Sequence, residues 1–279
     1  MAQRMATWRR FTRRKTAVFG LSVYVVILLI ALFAPYLAPR DPATQDVMKG
    51  LQPPSAEYLL GSDEYGRDIL SRIIYGARIS MTVGIISVTI SAMIGTFLGL
   101  ISGFYGGKVE AVIMRIVDIM LSFPGILLAL IIVSTLGRDI QYVMIAVGIS
   151  GVPNYARMVR GAVLGVKENE YIEAARAAGA ANLSIIARHV LPNIFAIIIV
   201  LTTLSLPGSI LSAAALSFIG LGVQPPTAEW GRMLGDGRAF IETAWWISTF
   251  PGLMIFISVI SINLFGDGLR DALDPRLKT

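Results

Sequence analysis

Six long stretches without a charged side chain constrain the fold of this chain more than any other feature. They cover residues 16–39, 79–107, 119–137, 140–156, 190–228 and 243–266. A helix needs about 20 apolar residues to cross a bilayer, and a charge at the bilayer centre costs roughly 2.5–3.5 kcal/mol on insertion scales. The pattern therefore predicts an all-α polytopic membrane protein with six transmembrane helices.

Composition narrows the chemistry that such a chain can perform. Only 15% of its 279 residues are charged, whereas about a quarter are charged in a typical soluble domain. The chain has no cysteine, which excludes disulfides, thiol catalysis and thiolate metal sites, and its one histidine is His189. No nucleophile–base pair or pair of catalytic carboxylates is visible. Lys108 lacks the flanking residues of a phosphate-binding loop, so we predict no catalytic, metal or nucleotide site.

The distribution of lysine and arginine predicts the topology. With six spans, sixteen of the 24 basic residues fall on the side of the N-terminus, so both termini are expected in the cytoplasm. The basic pI of about 9.7 is then a topology signal, with membrane lipid and no nucleic acid as the partner. The predicted parts are a basic cytoplasmic arm (1–16), a first transmembrane helix (17–38), an external loop (39–78), a transmembrane core (79–266) and a cytoplasmic tail (267–279).

The run at 190–228 is long enough for two spans, and Pro207 and Gly208 lie inside it. We interpret it as one long helix, kinked near Pro207, followed by a re-entrant or interfacial piece. Two full spans joined by a tight turn are the alternative, and would move the C-terminus to the other side. Pro124 is expected to kink the third span.

Several contacts between spans can be expected from spacing. The second span, which we expect to begin near Ser80, contains glycines that permit close helix approach: Gly84, Gly95 and Gly99. Arg115 and Asp118 are three residues apart and are expected to pair on one helix face. Three tryptophans fit a belt at the membrane interface: Trp230, Trp245 and Trp246.

A polar segment at residues 168–192, here named the alanine-rich segment, is predicted to form two short helices around a bend. Asn169 is a candidate N-cap, and Glu173 lies in the first turns, where an acid suits the helix dipole. Alanines favour the helix, and Gly179 is expected to end it in the left-handed conformation. Asn182 is a candidate cap for the second helix. The small side chains would let another protein approach closely.

The same segment resembles the EAA loop of ABC importer permeases. Glu-Ala-Ala at 173–175 is followed by Gly179 and by Val-Leu-Pro at 190–192, with His189 where the general pattern has Ile. The histidine form resembles the peptide-permease branch. The resemblance implies docking into an ATPase cleft by a set of residues within 168–192: Glu173, Ala174, Ala175, Arg176, Gly179, Leu191 and Pro192. A connection without a partner is the alternative.

A second motif, here named the Gly/Arg motif, lies at 60–72 and reads LGSDEYGRDILSR. It resembles the L-G-T-D-x-x-G-R-D-x-x-S-R sequence of the C-type subunit of dipeptide, oligopeptide and nickel permeases, with Ser62 in place of Thr. Gly61 and Gly66 are expected to supply turns. Its charged members are expected to form a salt-bridge network: Asp63, Glu64, Arg67, Asp68 and Arg72. The motif would cap the second span or contact an external binding protein.

Residues 218–234 and the tail at 266–276 also resemble this subfamily, so the resemblance covers nearly the whole chain. It implies a type I ABC importer permease fold, and a subunit that forms half of the translocation path for dipeptides or oligopeptides. The implied partners are a second, unlike permease, two ABC ATPases that carry ATP and Mg²⁺, and an extracytoplasmic substrate-binding protein. This chain would bind no cofactor itself. The implied location is a bacterial or archaeal cytoplasmic (inner) membrane.

Other functions stand as alternatives. Near-identical motifs serve glutathione and nickel complexes within this family, and peptides are preferred because peptide members are commoner. An ion-driven secondary transporter would show several buried acids and inverted repeats, whereas only Asp118 is even marginally buried and no repeat is visible. An intramembrane enzyme would need polar catalytic residues at membrane depth.

Overall fold

Residues 11–273 are described in the computed structural model, and this part of the chain is built from helices with no β-strand. In chain order the α-helices are α1 (Lys15–Leu32), α2 (Ala34–Leu37), α3 (Ile69–Tyr105), α4 (Gly107–Leu121), α5 (Gly125–Leu136), α6 (Ile140–Lys167), α7 (Glu170–Ala177), α8 (Asn182–Ile185), α9 (Leu191–Phe218), α10 (Trp230–Gly237) and α11 (Trp246–Leu273). Short 3-10 helices occupy Val47–Lys49 and Arg238–Phe240, and a π-helical turn occupies Ile186–Val190. The prediction of an all-α chain is confirmed.

Four helical stretches are long and apolar enough to cross a membrane: Lys15–Leu32, Ile69–Tyr105, Asn182–Phe218 and Trp246–Leu273. Helices α4 and α5 taken together are also long and apolar enough. They form a fifth candidate, either a broken span or a re-entrant loop. Helix α6 contains the fourth predicted run and is 28 residues long, but it carries Arg157 and Arg160 and is not among them. The polytopic class is confirmed, with at most five of the six predicted spans identified by length and composition.

Two prolines in predicted spans have different effects. The chain breaks before Pro124, and α4 and α5 meet at an angle of 90°. Proline disfavours helical backbone in the residue before it, which explains the break and confirms the predicted kink. Helix α9 instead continues through Pro207 as one helix and ends at Phe218. The interpretation of the 190–228 run as a single long helix is therefore confirmed.

The centre of the bundle is the long contact between α3 and α6, which glycines make possible. An added Cβ on Gly99 would lie 2.7 Å from the carbonyl oxygen of Ala156, and one on Gly103 would lie 2.8 Å from Cβ of Val163. Helix α9 packs on α3 in the same way, because a Cβ on Gly84 would meet Ile210 at 2.5 Å. The expected role of glycines in close packing of the second span is confirmed.

The first and last long helices pack side by side. Gly20 of α1 faces Leu264 of α11, and the rings of Phe11 and Phe265 meet edge to face at 5.8 Å. Most of the predicted basic arm and the end of the predicted tail lie outside the described residues. The described part of the tail, 267–273, continues α11.

Helix α3 begins at Ile69, earlier than the predicted start near Ser80. Asp68 is its N-cap, and its carboxylate accepts hydrogen bonds from the backbone N–H and the hydroxyl of Ser71 at 2.8 and 2.6 Å. Prediction from apolar runs placed the start too late, because the first turns contain Arg72 and Arg78. In the capped helix Arg72 is buried and Arg78 is exposed.

One predicted ion pair and one predicted position at the membrane interface are wrong. Asp118 pairs with Arg157 of α6 at 2.7 Å and not with Arg115, because α4 and α6 face each other across a groove. Trp230 is fully buried and donates its indole N–H to the carbonyl of Ile73 at 3.0 Å, so it does not lie in an interfacial belt. An indole N–H in the interior needs such a partner. Trp246 is also buried, and Trp245 is 49% exposed.

Candidate functional site

The alanine-rich segment folds around Gly179. Helix α7 ends there with φ of +80° at Gly179, whose N–H donates to the carbonyl of Arg176 at 2.9 Å. The N–H of Ala180 donates to the carbonyl of Ala175 at 3.1 Å. These two bonds form the pattern that commonly ends helices at a left-handed glycine. The predicted bend at Gly179 is confirmed.

An apolar cluster fastens this segment to the ends of α3 and α6. Its buried members come from α3, α6, the alanine-rich segment and the start of α9: Leu100, Phe104, Val159, Val163, Ile172, Ile185, Val190 and Ile194. Ile172 of α7 and Ile185 of α8 have no exposed surface. Burial of such a side chain contributes roughly 1.5–3 kcal/mol, so the segment is held firmly on the bundle.

The other side of the segment is exposed. Of the predicted docking residues, Glu173, Ala174, Arg176 and Gly179 are exposed, Ala175 is half-buried, and Leu191 and Pro192 begin α9. Leu183 of α8 is 74% exposed beside this face. The result is a small protrusion with an apolar leucine, short side chains, and exposed acids and bases that include Glu173 and Arg176.

The asparagines of this segment act differently from the prediction. Asn169 occupies the N-cap position of α7, but its side chain donates to the carbonyls of Gly165 and Val166 at 3.1 and 2.8 Å, at the end of α6. Asn182 is the first residue of α8, and Ala181 is its N-cap. The prediction for Asn182 was wrong because that helix starts one residue earlier.

Pro192 lies in the first turn of α9, directly after the π-helical turn. The N–H of Leu191 donates to the carbonyl of Ile186, in the five-residue spacing of a π turn, and α9 follows without interruption. Pro192 has no N–H to offer the preceding turn, which accounts for a local change in helical spacing. π turns of this kind occur frequently at functional sites.

The Gly/Arg motif is folded back on itself. Gly61 and Gly66 have φ of +84° and +75°, which confirms that both supply turns. A side chain at Gly66 would collide with the backbone carbonyl of Asp46, and a Cβ at Gly61 would lie 2.6 Å from the ring of Trp246. The indole N–H of Trp246 donates to the carbonyl of Ser62 at 3.1 Å, which ties the motif to α11.

The charge network of this motif is smaller than predicted. Asp63 pairs with Arg67 at 2.6 Å and lies 3.5 Å from Arg72, and these side chains are only 3–5% exposed. Asp68 caps α3 and does not belong to the charge network. Glu64 has a buried carboxylate oxygen without a hydrogen-bond partner in the described part of the chain. Burial raises the pKa of Glu64.

Arg72 joins two loops to the start of α3. Its guanidinium donates to the carbonyl of Pro42 at 3.0 Å and of Pro226 at 3.3 Å. The segment before α10 is held in turn by Glu229, which the sequence analysis missed. Glu229 is 2% exposed, caps α10 through the N–H groups of Gly231 and Arg232, and accepts from the Ser80 hydroxyl at 3.1 Å.

Burial raises the pKa of Glu229, while its hydrogen bonds act in the opposite direction. An acid directly before a short helix is a recognisable capping signal, so the capping role of Glu229 could have been found from sequence. Its contact with Ser80 could not, because 149 residues separate the two.

Two cavities lie along α6. The first, of about 270 Å³, is lined by α3, α5, α6 and α9, with polar side chains from Ser91, Ser150, Asn154, Tyr155, Ser205, Ser209 and Ser212. The second, of about 490 Å³, contains the Asp118–Arg157 pair and a further pair between Glu110 and Arg160. Both ion pairs join α4 to α6, so charges surround one cavity and uncharged polar groups the other.

Comparison with known families agrees with this architecture. The family described as "Binding-protein-dependent transport system inner membrane component" matches residues 95–279, more than half of the chain. The chain therefore belongs to this family of transport subunits, and the predictions of a permease and of a non-enzymatic role are confirmed. The "N-terminal TM domain of oligopeptide transport permease C" matches residues 3–54, in agreement with the predicted C-type subunit.

Individual relatives cover nearly all of the chain. The Di/tripeptide transport system permease protein DppC of Pseudomonas aeruginosa is 50% identical over 97% of this chain and 91% of that protein. The Dipeptide transport system permease protein DppC of Alkalihalophilus pseudofirmus is 48% identical, over 98% and 90%. The Glutathione transport system permease protein GsiD of Pectobacterium atrosepticum is 46% identical, over 98% and 91%.

A solved structure shows the same fold. The inward-facing MetNI methionine ABC transporter matches with a TM-score of 0.62 and 21% identity, over 74% of this chain and 98% of that chain. The importer permease fold is therefore confirmed. The chain is a multi-pass membrane protein of a bacterial inner-membrane permease family, whose members in general act with a partner permease, ATPases and a binding protein.

Proposed function

We propose that this chain forms half of the translocation path of an ATP-driven importer of dipeptides or oligopeptides. A second, unlike permease forms the other half, and an extracytoplasmic binding protein delivers the cargo. The support for peptide cargo is that relatives 44–50% identical over 97–98% of this chain are named as dipeptide or di/tripeptide permeases. Such identity over the whole length includes the helices around both cavities.

One observation supports the coupling role. The alanine-rich segment exposes one face, while its other face is held on the bundle by a buried apolar cluster. Two partner ATPases carry ATP and Mg²⁺, and this face docks into one of them. Short side chains allow close approach, and Glu173 and Arg176 offer one charge of each sign. Because Ile172 and Ile185 are buried against the ends of α3 and α6, movement of the segment moves those helices too.

The implied mechanism is alternating access. ATP binding draws the two ATPases together, and the docked segments move with them, which tilts the long helices and opens the path outward. Hydrolysis returns the assembly to its resting state. Such switching requires a ligand that binds one of the two states more tightly, and ATP on the partner chains is that ligand.

We propose that both ends of the chain lie in the cytoplasm. The sixteen-to-eight bias of basic residues supports this orientation. Contacts at the two ends support an even number of crossings: Arg14 pairs with Asp271, and Gly268 packs on Ala17. The start of α1 and the end of α11 are therefore neighbours.

Glutathione is a second candidate cargo. Relatives named as glutathione permeases are 46% identical over 97–98% of the chain. Glutathione is itself a small peptide, so it offers the path similar chemistry.

Uptake by the purified complex tests the proposal. The chain is co-purified with its partners in mild detergent, reconstituted in proteoliposomes, and supplied with the binding protein, ATP and radiolabelled dialanine or glutathione. We expect a second permease and ATPase chains to co-purify, and ATP-dependent uptake of dialanine. Recovery of this chain alone, or uptake of neither peptide, would overturn the proposal, and uptake of glutathione alone would favour the second candidate.

A further inference from the structure

We propose that the 270 Å³ cavity between α3, α5, α6 and α9, here named the serine cavity, holds the peptide backbone of the cargo independently of its side chains. The inference rests on the proposed function, because it takes the cargo to be a peptide. It adds to the proposed function which part of this subunit contacts the cargo, and which chemical groups of the cargo that part recognises.

The lining of the serine cavity matches a peptide unit. No charged side chain lines it, and its polar groups are hydroxyls and one amide. Hydroxyl and amide groups both donate and accept hydrogen bonds, so they can pair with the N–H and with the C=O of a peptide. A cavity lined by charges would select among cargo side chains, whereas this cavity binds the N–H and C=O groups that all peptides share.

Several of these polar groups have no partner of their own. The side chains of Asn154 and Ser212 make no hydrogen bond within residues 11–273. Tyr155 is only 3% exposed, and its buried hydroxyl lies near those of Thr202 and Ser205 without a hydrogen bond of normal geometry. Asn154 is exposed and Ser212 is half-buried, so both side chains are open to a molecule in the cavity. The Tyr155 hydroxyl is buried, and because buried polar groups are nearly always paired, it marks a place where another molecule supplies the partner.

Other serines of the lining are already occupied. Ser91 donates to the carbonyl of Gly148 at 2.6 Å, and Ser150 donates to that of Val147 at 2.9 Å. Ser91 therefore fastens α3 to α6, and Ser150 is paired within α6, so the binding groups are on the α9 side and at Asn154. Ser209 makes only a longer bond, to the carbonyl of Ser205 within α9 at 3.3 Å, and Ser212 makes none in the described part of the chain, which identifies these two as the residues to change.

The backbone adds donors and space. Helix α5 begins at the cavity with Gly125 and Ile126, and the first N–H groups of a helix have no partner within it. They suit a carbonyl or carboxylate oxygen of the cargo. Gly125 and Gly208 leave open space, because a Cβ on either would meet nothing within 4 Å. The volume approaches the range of about 300–1,000 Å³ typical of small-molecule pockets.

Uptake of two unlike dipeptides tests the inference. Dialanine and diphenylalanine are compared in the reconstituted importer with wild-type chain, with Ser209→Ala/Ser212→Ala, and with Thr203→Val as the control. Thr203 is on the same helix but faces α11, with its methyl 3.3 Å from the Cβ position of Gly266. We expect the double variant to lose about three- to tenfold in uptake of both dipeptides by the same factor, as for one or two lost hydrogen bonds. The control should match wild type.

A labelling experiment checks contact directly. The chain has no cysteine of its own, so Ser212→Cys introduces its single thiol. We expect dialanine, supplied with the binding protein and ATP, to slow modification of this thiol by a small methanethiosulfonate reagent several-fold, and Thr203→Cys to show no protection.

The outcomes separate the inference from the proposed function. Unchanged uptake in the double variant, loss for only one dipeptide, or no protection at Ser212→Cys would overturn the serine cavity as a backbone site while wild-type uptake stands. If the wild-type complex imports neither dipeptide, the proposed function fails first. Gel filtration of each complex is the control for assembly of the variants.

Discussion

The Gly/Arg motif and the alanine-rich segment look alike in sequence and are used in opposite ways. Each has a glycine with positive φ and a group of charged side chains. In the first, Asp63 and the arginines are 3–5% exposed and satisfy one another. In the second, Glu173 and Arg176 are exposed and make no ion pair among the described residues, and the Arg176 guanidinium lies 5.5 Å from the centroid of the Phe104 ring.

The difference shows what kind of role each region can have. Charges that are buried and paired stabilise one arrangement of the chain, because removing one partner leaves the other unpaired in the interior. Exposed charges on a rigid mounting contribute little to stability and are available to another protein. We therefore interpret the Gly/Arg motif as the cap of α3 and its neighbouring loops, and the alanine-rich segment as the docking surface.

The largest effect should follow from breaking the buried network. Asp63→Asn would leave Arg67 and Arg72 without their shared carboxylate, at a cost of about 3–5 kcal/mol. We expect a large drop in the thermal unfolding temperature of the detergent-solubilised protein, or failure to obtain folded chain. Glu57→Gln is the control, because it breaks an exposed pair with Lys49 and should leave the temperature unchanged. Equal shifts in the two variants would contradict a special role for burial.

A change in the bend of the alanine-rich segment should affect coupling more than folding. Gly179 and Gly165 both have open space around a Cβ position, but only Gly179 has positive φ. Gly179→Val would strain the backbone by roughly 1–3 kcal/mol, whereas Gly165→Val lies in ordinary helix. In the reconstituted importer we expect Gly179→Val to lose most dialanine-stimulated ATP hydrolysis and Gly165→Val to keep it, with both chains inserted. Normal stimulation in Gly179→Val would refute the docking role.

A smaller effect is expected at the joint between α6 and α7. Asn169→Ala would remove side-chain hydrogen bonds to the carbonyls of Gly165 and Val166, worth about 0.5–1.5 kcal/mol each. Hydrogen exchange measured by mass spectrometry should be faster in α7 of this variant. Asn182→Ala is the matched control, because that side chain makes no hydrogen bond in the described structure. Faster exchange in both would indicate a general loosening instead.

The smallest effect concerns pH. Burial raises the pKa of Glu64 above its ordinary value of 4.5, so the folded state holds that proton more tightly than the unfolded chain. The stability that this proton contributes is fully present below pH 4.5 and is lost as pH rises through the higher folded pKa. We expect the unfolding temperature of Glu64→Gln to fall less over that window than that of wild type. Parallel pH curves would show that Glu64 is not buried in solution.

Local features of both regions could be predicted from sequence. The turns at Gly61, Gly66 and Gly179 follow from the need for glycine at positive φ, and the family motifs identified both regions. The apolar runs predicted most of the long helices. Each of these inferences depends on residues close together in the chain.

Contacts between distant residues could not be predicted. The sequence favours Arg115, three residues away on the same helix, as the partner of Asp118, and only the packing of α4 on α6 selects Arg157. The same holds for Trp230, whose partner Ile73 is 157 residues away. The burial of Asp63 also depends on Trp246 and the loops around Pro42 and Pro226, none of which a local pattern reveals.

Helix α3 has mechanical consequences beyond its role in packing. It contains 37 residues and so is about 55 Å long at 1.5 Å per residue. The Gly/Arg motif is fastened to one end of this rod, and the alanine-rich segment rests against the other. A tilt of about 5° at one end would displace the other by roughly 5 Å. A small rotation imposed on the proposed docking surface would therefore be amplified along the length of α3 into a shift large enough to open or close a gap at the far end.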